Sequence, residues 1–376
     1  MKTSKFLSLS AIVGIAVSFL VSCESNPDVN PQNDILPSSF RVDIPSSISY
    51  TTSTGGRIST QGRRFGDTIS GNDVYKHLGT FIAVGKSASQ IVEEFIDGIR
   101  KHHINREMTL SFQSDDDNRI KNLVVFADVT FEGADWDYQL TVTDADSEGE
   151  PDGGKGLELF WNHEAPVQGI GIIKPYNCDR TKNAALTETV FRIDYSEAGT
   201  GRYEQQMEVR ISGLPTGNPT TEPFAMNTLR MFAGKTGEVI DVYGNSNHPN
   251  ATLFASDETG FNWAFVASSN RAENISVAEV GLPPSSLDNA DREVLLKDYS
   301  IKNVFTAEIL EAWPNINPDA LDAFLSNIKA PGYFNNGGFV TGGVSPGPGW
   351  DVIATRLEDL TPFNPKTVSD LQVTFK

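Results

Sequence analysis

The chain has 376 residues, a formal net charge of −19 at pH 7 and two cysteines, Cys23 and Cys178. This length allows one large domain or two smaller ones. An acidic surface repels nucleic acid and anionic lipid headgroups, so the composition argues against both as partners of the surface at large.

The first residues have the layout of a secretory signal, with Lys2 and Lys5 ahead of an apolar run at 6–22. The sequence LVSC at 20–23 resembles the lipobox of bacterial lipoproteins, in which a small residue precedes a cysteine that is lipidated and becomes the new first residue after cleavage. The resemblance implies a signal peptide at 1–22, a lipid anchor on Cys23 and a place in the bacterial cell envelope, at the outer membrane or cell surface. An ordinary signal peptide or an uncleaved anchor is the alternative interpretation.

Two predicted segments follow the anchor. Residues 23–40 are predicted to be the lipidated cysteine and a flexible tether, because they are rich in Asn, Pro, Asp and Ser and poor in large apolar side chains. Residues 41–106 are predicted to contain helices, beginning near Asn72 and strongest at 87–103, where apolar residues recur at helical spacing. With Cys23 lipidated, Cys178 has no partner for an intramolecular disulfide, so the fold must depend on its core.

From residue 107 the apolar period changes to two. About eleven short alternating runs at 107–285, broken by Gly, Asn, Asp and Pro, predict an antiparallel β domain with one face exposed to water. Residues 286–376 are predicted to form a helical and irregular segment packed on that domain. The predicted fold class is therefore α+β, mainly β: a large antiparallel sheet, sandwich or barrel-like, with a short N-terminal helical segment and C-terminal helices.

One acidic loop has the spacing of a calcium site. Asp144, Asp146, Glu148 and Asp152 fall at the first, third, fifth and ninth positions of an EF-hand loop, and carboxylate oxygens suit calcium. The twelfth position, which should be a bidentate glutamate, is Lys155, and the flanks look like strands. The alternative interpretation is an acidic hairpin loop. Calcium is the only cofactor that the sequence indicates.

Four aromatic residues suggest a glycan ligand. Trp136 and Tyr138 are predicted to share one strand face beside two aspartates, while Trp161 and Trp263 belong to other strands. Flat rings flanked by carboxylates can hold sugars. The alternative is core packing, because aromatic residues are common in strands and bury much apolar area.

No catalytic residues are predicted. The sequence GVSPG at 343–347 matches G-x-S-x-G, but the Pro and Gly residues that follow exclude the helix that a nucleophile elbow needs. The sequence around Cys178 offers no group that would activate its thiol. His102 and His103 are adjacent on a predicted helix and point in different directions, so they are a poor chelating pair.

The leading functional hypothesis is a membrane-anchored lipoprotein that acts as a non-catalytic ligand-binding or structural module at the cell envelope. Its ligand would be a small molecule, a lipid or a glycan. The alternative is a surface lipoprotein that binds or hydrolyses glycans with strand aromatics and with carboxylates from separate strands. The sequence indicates no nucleic acid partner and identifies no protein partner.

Overall fold

The computed structural model describes residues 39–49, 71–101, 106–199, 201–218, 225–250 and 260–375. The predicted signal segment, Cys23 and most of the predicted tether lie outside these ranges. None of the helices within them is long and apolar enough to cross a membrane.

Thirteen strands form one antiparallel sheet in which each strand pairs with its neighbours in sequence. The strands are β1 Met108–Gln113, β2 Ile120–Phe131, β3 Ala134–Asp144, β4 Lys155–Asn162, β5 Gln168–Ile173, β6 Val190–Ser196, β7 Gln205–Ser212, β8 Thr228–Thr236, β9 Val239–His248, β10 Phe261–Asn270, β11 Ile275–Gly281, β12 Gly332–Asn335 and β13 Gly338–Gly342. Within the described residues β1 and β13 are the two edges, so the sheet is not closed. The prediction of a mainly β, α+β fold with a large antiparallel sheet is confirmed.

One long helix precedes the strands, a short helix lies between β5 and β6, and the other helices follow β11. They are α1 Gly71–Lys101, α2 Pro175–Cys178, α3 Ile301–Ala312, α4 Pro318–Phe324, α5 Pro348–Ala354 and α6 Pro365–Ser369. Helix α1 begins where the sequence predicts a helical region. Helix α4 begins at Pro318 because Asn317 caps it, accepting hydrogen bonds from the backbone N–H groups of Asp319 and Ala320.

Strands β12 and β13 lie in a stretch whose Gly and Pro content predicted irregular structure. They are joined by a tight turn, directly after which Gly338, the first residue of β13, has a φ of 94°, a conformation that glycine adopts without strain. Phe334 and Phe339 pack against Tyr75 of α1, with ring centroids 5.6 and 5.0 Å away. The hairpin is therefore held by aromatic contacts with the helix, which apolar alternation does not reveal.

The sheet curves around helix α1, which contacts β6, β7, β8 and β13. A second layer of the same core comes from residues 39–49, where four apolar side chains are at most 1% exposed: Phe40, Val42, Ile44 and Ile48. The ring of Phe40 lies so close to β5 that a Cβ atom on Gly169 would be 2.2 Å from it. The inner face of the described sheet is thus packed with the chain's own side chains.

The C-terminal segment covers part of the outer face. Asp241 of β9 is fully buried and accepts a hydrogen bond from Nε of Arg356 at 3.0 Å, and Asn262 of β10 donates to the carbonyl of Pro365 at 2.9 Å. Apolar side chains on this side form a separate cluster that includes Val266, Val277, Leu357 and Leu360. Strand β7 keeps one partly exposed face, as predicted, whereas β10 is buried on both faces.

Candidate functional site

An open cleft of about 270 Å³ lies at one rim of the sheet. Its lining comes from residues 39–43, from α1, from the paired strands β7 and β8, and from the turn after β10: Ser39, Arg41, Asp43, Glu93, Gln205, Lys235 and Arg271. The start of β7 and the ends of β8 and β10 meet at the same rim because neighbouring strands are antiparallel. Six of the seven side chains end in an ionic or amide group, so the cleft suits a polar ligand.

The segment at 39–44 reaches the cleft because it is extended. Successive side chains of an extended chain point to opposite sides. The even-numbered residues are buried in the core, and the odd-numbered Ser39, Arg41 and Asp43 line the cleft. The same short segment therefore anchors itself with one face and supplies nearly half of the cleft lining with the other.

Two cations neutralise the carboxylates of the cleft. Nε of Arg41 lies 2.5 Å from the Glu93 carboxylate, and the backbone N–H of Phe40 also hydrogen-bonds this carboxylate. Burial raises the pKa of Glu93, and Arg41 opposes that rise. The carboxylate of Asp43 is 3.5 Å from Nζ of Lys86. Each acid thus has a cation of its own.

The opposite side of the cleft is cationic. Lys235 and Gln205 are directly paired across β8 and β7. Glu238 holds Arg271 in place through two hydrogen bonds. Nε of Arg271 donates to the Glu238 carboxylate at 3.2 Å, and the backbone N–H of Arg271 donates to the Glu238 backbone carbonyl at 2.8 Å. Among the lysines whose side chains the structure describes, Lys235 alone forms no ion pair.

The predicted calcium loop is occupied by the protein's own cations. Asp144 is fully buried, and its two oxygens accept hydrogen bonds from Arg119, both at 2.6 Å, and from Lys121 at 2.8 Å. Burial alone would raise the pKa of Asp144, but the hydrogen bonds from Arg119 and Lys121 hold it well below its usual range. A carboxylate so completely engaged has no oxygen left for a metal ion.

The other three predicted calcium ligands point to separate partners. Asp152 accepts hydrogen bonds from Lys174 at 2.6 Å and Asn177 at 3.0 Å. Glu148 accepts one from Asn122 at 2.9 Å, and the exposed Asp146 is 3.7 Å from Arg119. No group of three or more His, Cys, Asp or Glu side chains suited to a metal ion occurs in the described ranges. The geometry gives the calcium prediction no support and matches the acidic hairpin loop.

The three predicted tryptophans lie inside the protein, with exposed fractions of 8% for Trp136, 1% for Trp161 and 6% for Trp263. Tyr138 is partly exposed and stacks on Trp161 at 5.6 Å between ring centroids. Trp136 packs in a different apolar cluster, so it does not share a surface with Tyr138. These rings do not form a platform for a sugar, and their burial is what core packing predicts.

Cys178 is buried, and its thiol donates to the carbonyl of Gly156 at 3.2 Å. Burial raises the pKa of the Cys178 thiol to about 12, so the reactive thiolate is not formed near neutral pH. Cys178 is therefore a structural residue. Lipidation of Cys23, which lies outside the described residues, stays a prediction.

Comparisons of the chain with protein-family models, with curated proteins and with solved structures found no match. The sequence predicted none of the residues that line the cleft. One signal was present: the alternating FRVDI at 40–44 has the pattern of a strand with one buried face, although Phe40 was assigned to the tether.

Proposed function

We propose that this protein is a lipid-anchored protein of the bacterial cell envelope whose folded body is a non-catalytic binding module, with the rim cleft as its binding site. The observation that carries the proposal is the position of residues 39–49. This segment begins within the last two residues of the predicted tether at 23–40, is buried in the core on one side and lines the cleft on the other. The binding site would thus lie at the anchored end of the body.

The anchor is tested by changing the two cysteines separately. We expect the full chain to sediment with membranes in a bacterial host and to incorporate labelled fatty acid, and we expect Cys23→Ser to lose the fatty-acid label. Several acyl chains on one residue give stable membrane attachment, because each buried methylene contributes about 0.8 kcal/mol. Cys178→Ser is the matched control and should keep both properties. Equal labelling of the wild type and Cys23→Ser would contradict the proposal.

Glycan hydrolysis is a second candidate, favoured by one observation. Two carboxylates, Asp43 and Glu93, line the same cleft, and the pKa of Glu93 is raised, as a general acid requires. Arg41, 2.5 Å from Glu93, stabilises the ionised carboxylate and opposes its use as an acid. Binding therefore ranks above hydrolysis.

A binding module and a glycan hydrolase are distinguished by whether the protein turns over a glycan substrate. We expect the purified chain to release no sugar from a panel of polysaccharides and aryl glycosides. Hydrolysis that is abolished in Glu93→Gln would replace the binding proposal with the enzymatic one. Glu94→Gln is the control, because Glu94 is the next residue on α1 but does not line the cleft.

A further inference from the structure

We propose that the rim cleft binds a phosphate group, carried by a lipid headgroup or by a soluble phosphate ester, through Lys235, Arg41 and Arg271. The inference rests on the proposed function, since it names the ligand class of the same cleft. Its basis is the contrast between a chain with a net charge of −19 and a cleft lined by three cations and two neutralised carboxylates.

Lys235 is the first reason. Every other lysine with a described side chain has a carboxylate within 4 Å, including the exposed Lys297, whose Nζ is 2.8 Å from Glu293. Lys235 is only partly exposed, lines the cleft and forms no ion pair with the described residues. In an acidic protein, an unpaired ammonium group beside two arginines creates a local positive potential that attracts an anion.

The two arginines also keep unused donors. Arg41 contacts Glu93 through Nε, and Arg271 donates to Glu238 through Nε and one terminal nitrogen. Each guanidinium therefore retains terminal N–H groups that make no hydrogen bond to the described residues. The planar fork of an arginine matches the oxygens of a phosphate group, and such charge-assisted hydrogen bonds are among the stronger ones in proteins.

The carboxylates of the cleft do not cancel this attraction. Glu93 is held by Arg41 and by the N–H of Phe40, and Asp43 is close to Lys86, which lies outside the lining. Arg271 is paired with Glu238, so the cationic surplus of the cleft is the charge of Lys235. A phosphate monoester carries a charge of about −1.5 to −2 at neutral pH and three acceptor oxygens, so it uses these donors more fully than a carboxylate does.

A lipid phosphate is within reach of the cleft. Ser39, at its edge, is sixteen residues after Cys23. A chain of that length spans at most about 55 Å when fully extended. A body anchored at Cys23 can therefore bring the cleft to the headgroups of the same membrane, while a soluble phosphate ester would enter from the aqueous side.

The phosphate site is tested on the full chain in detergent by titrating inorganic phosphate and measuring heat and melting temperature. Binding to the folded state raises the melting temperature. We expect the wild type and the control Lys297→Gln to bind phosphate with equal affinity. Lys235→Gln should bind phosphate at least about tenfold more weakly, because a charge-assisted hydrogen bond is lost. Equal binding by Lys235→Gln, or no phosphate binding by the wild type, overturns the inference.

A second arm separates the two sources of phosphate. Unlipidated Cys23→Ser chains, with and without Lys235→Gln, are sedimented with phosphatidylcholine vesicles that contain or lack phosphatidic acid. Retention that needs both phosphatidic acid and Lys235 supports a lipid headgroup. Phosphate binding without such retention supports a soluble ester. If the phosphate titration fails while fatty-acid labelling at Cys23 is intact, this site is overturned and the anchored module stands.

Discussion

A chain that begins at residue 50 is expected to be unfolded, whereas a chain that begins at Ser39 is expected to keep the native fold. The shorter chain loses four apolar side chains that are at most 1% exposed: Phe40, Val42, Ile44 and Ile48. Burial of one such side chain stabilises a protein by about 1.5 to 3 kcal/mol, so the four together contribute about 6 to 12 kcal/mol. That sum is comparable to the whole stability of a typical domain, about 5 to 15 kcal/mol.

Circular dichroism and urea unfolding of the two truncated chains measure this difference. Single substitutions give a graded version in the full chain. Ile44→Ala should lower the free energy of unfolding by about 2 to 5 kcal/mol. Ser46→Ala should lower it by about 1 kcal/mol or less, because it removes only an exposed hydrogen bond from Asn274. A cooperative transition with an unchanged midpoint in the chain that begins at residue 50 would show that residues 39–49 are dispensable.

Lys121→Met is expected to lower the free energy of unfolding by about 3 to 5 kcal/mol, as loss of one partner of a buried ion pair does. Lys121 is fully buried, and its Nζ donates to Asp117 at 2.9 Å, to Asp144 at 2.8 Å and to the carbonyl of Asn177 at 3.0 Å. Methionine fills a similar volume but leaves both carboxylates short of a cation. Lys297→Met, on an exposed ion pair, is the control and should leave the free energy of unfolding nearly unchanged.

The buried carboxylates around Lys121 determine how the free energy of unfolding changes with pH. Burial alone would raise the pKa values of Asp117, Asp144 and Asp152, but hydrogen bonds from neighbouring cations and N–H groups lower all three. The unfolded chain then takes up protons first as the pH falls, so this stabilisation is complete well above the ordinary aspartate pKa of about 3.9 and is lost below it. The urea midpoint of the wild type should fall as the pH is lowered from 7 to 3, and that of Lys121→Met should fall less steeply. Parallel plots of midpoint against pH for the two proteins would contradict the role of Lys121.

The sheet could be predicted from the sequence wherever one face of a strand meets the core. In β7 the alternation of Met207, Val209 and Ile211 with charged residues was sufficient, because all three are fully buried. Alternation fails for β12 and β13, where aromatic contacts with Tyr75 hold a glycine-rich hairpin. It also does not reveal which strands the C-terminal segment will cover.

The candidate site could not be predicted, for a different reason. Motif matching examines residues that are close in sequence, such as Asp144 and Asp152, and is blind to the cations that fold onto them. Arg119, which neutralises Asp144, is 25 residues away in the chain. The rim cleft draws its residues from positions 39 to 271, and Arg41 meets Arg271 because residues 39–49 pack against the turn after β10, where the Ser47 backbone N–H donates to Asn274.

The central position of α1 has a consequence for the order in which the chain acquires its structure. Pairing between consecutive strands from β1 to β11 joins segments that are close in sequence, whereas every strand that touches α1 depends on a segment made earlier. Because synthesis starts at the N-terminus, residues 39–49 and α1 emerge before the first strand. Each new hairpin can then add to a helix that is already present, so the meander can grow in the direction of translation.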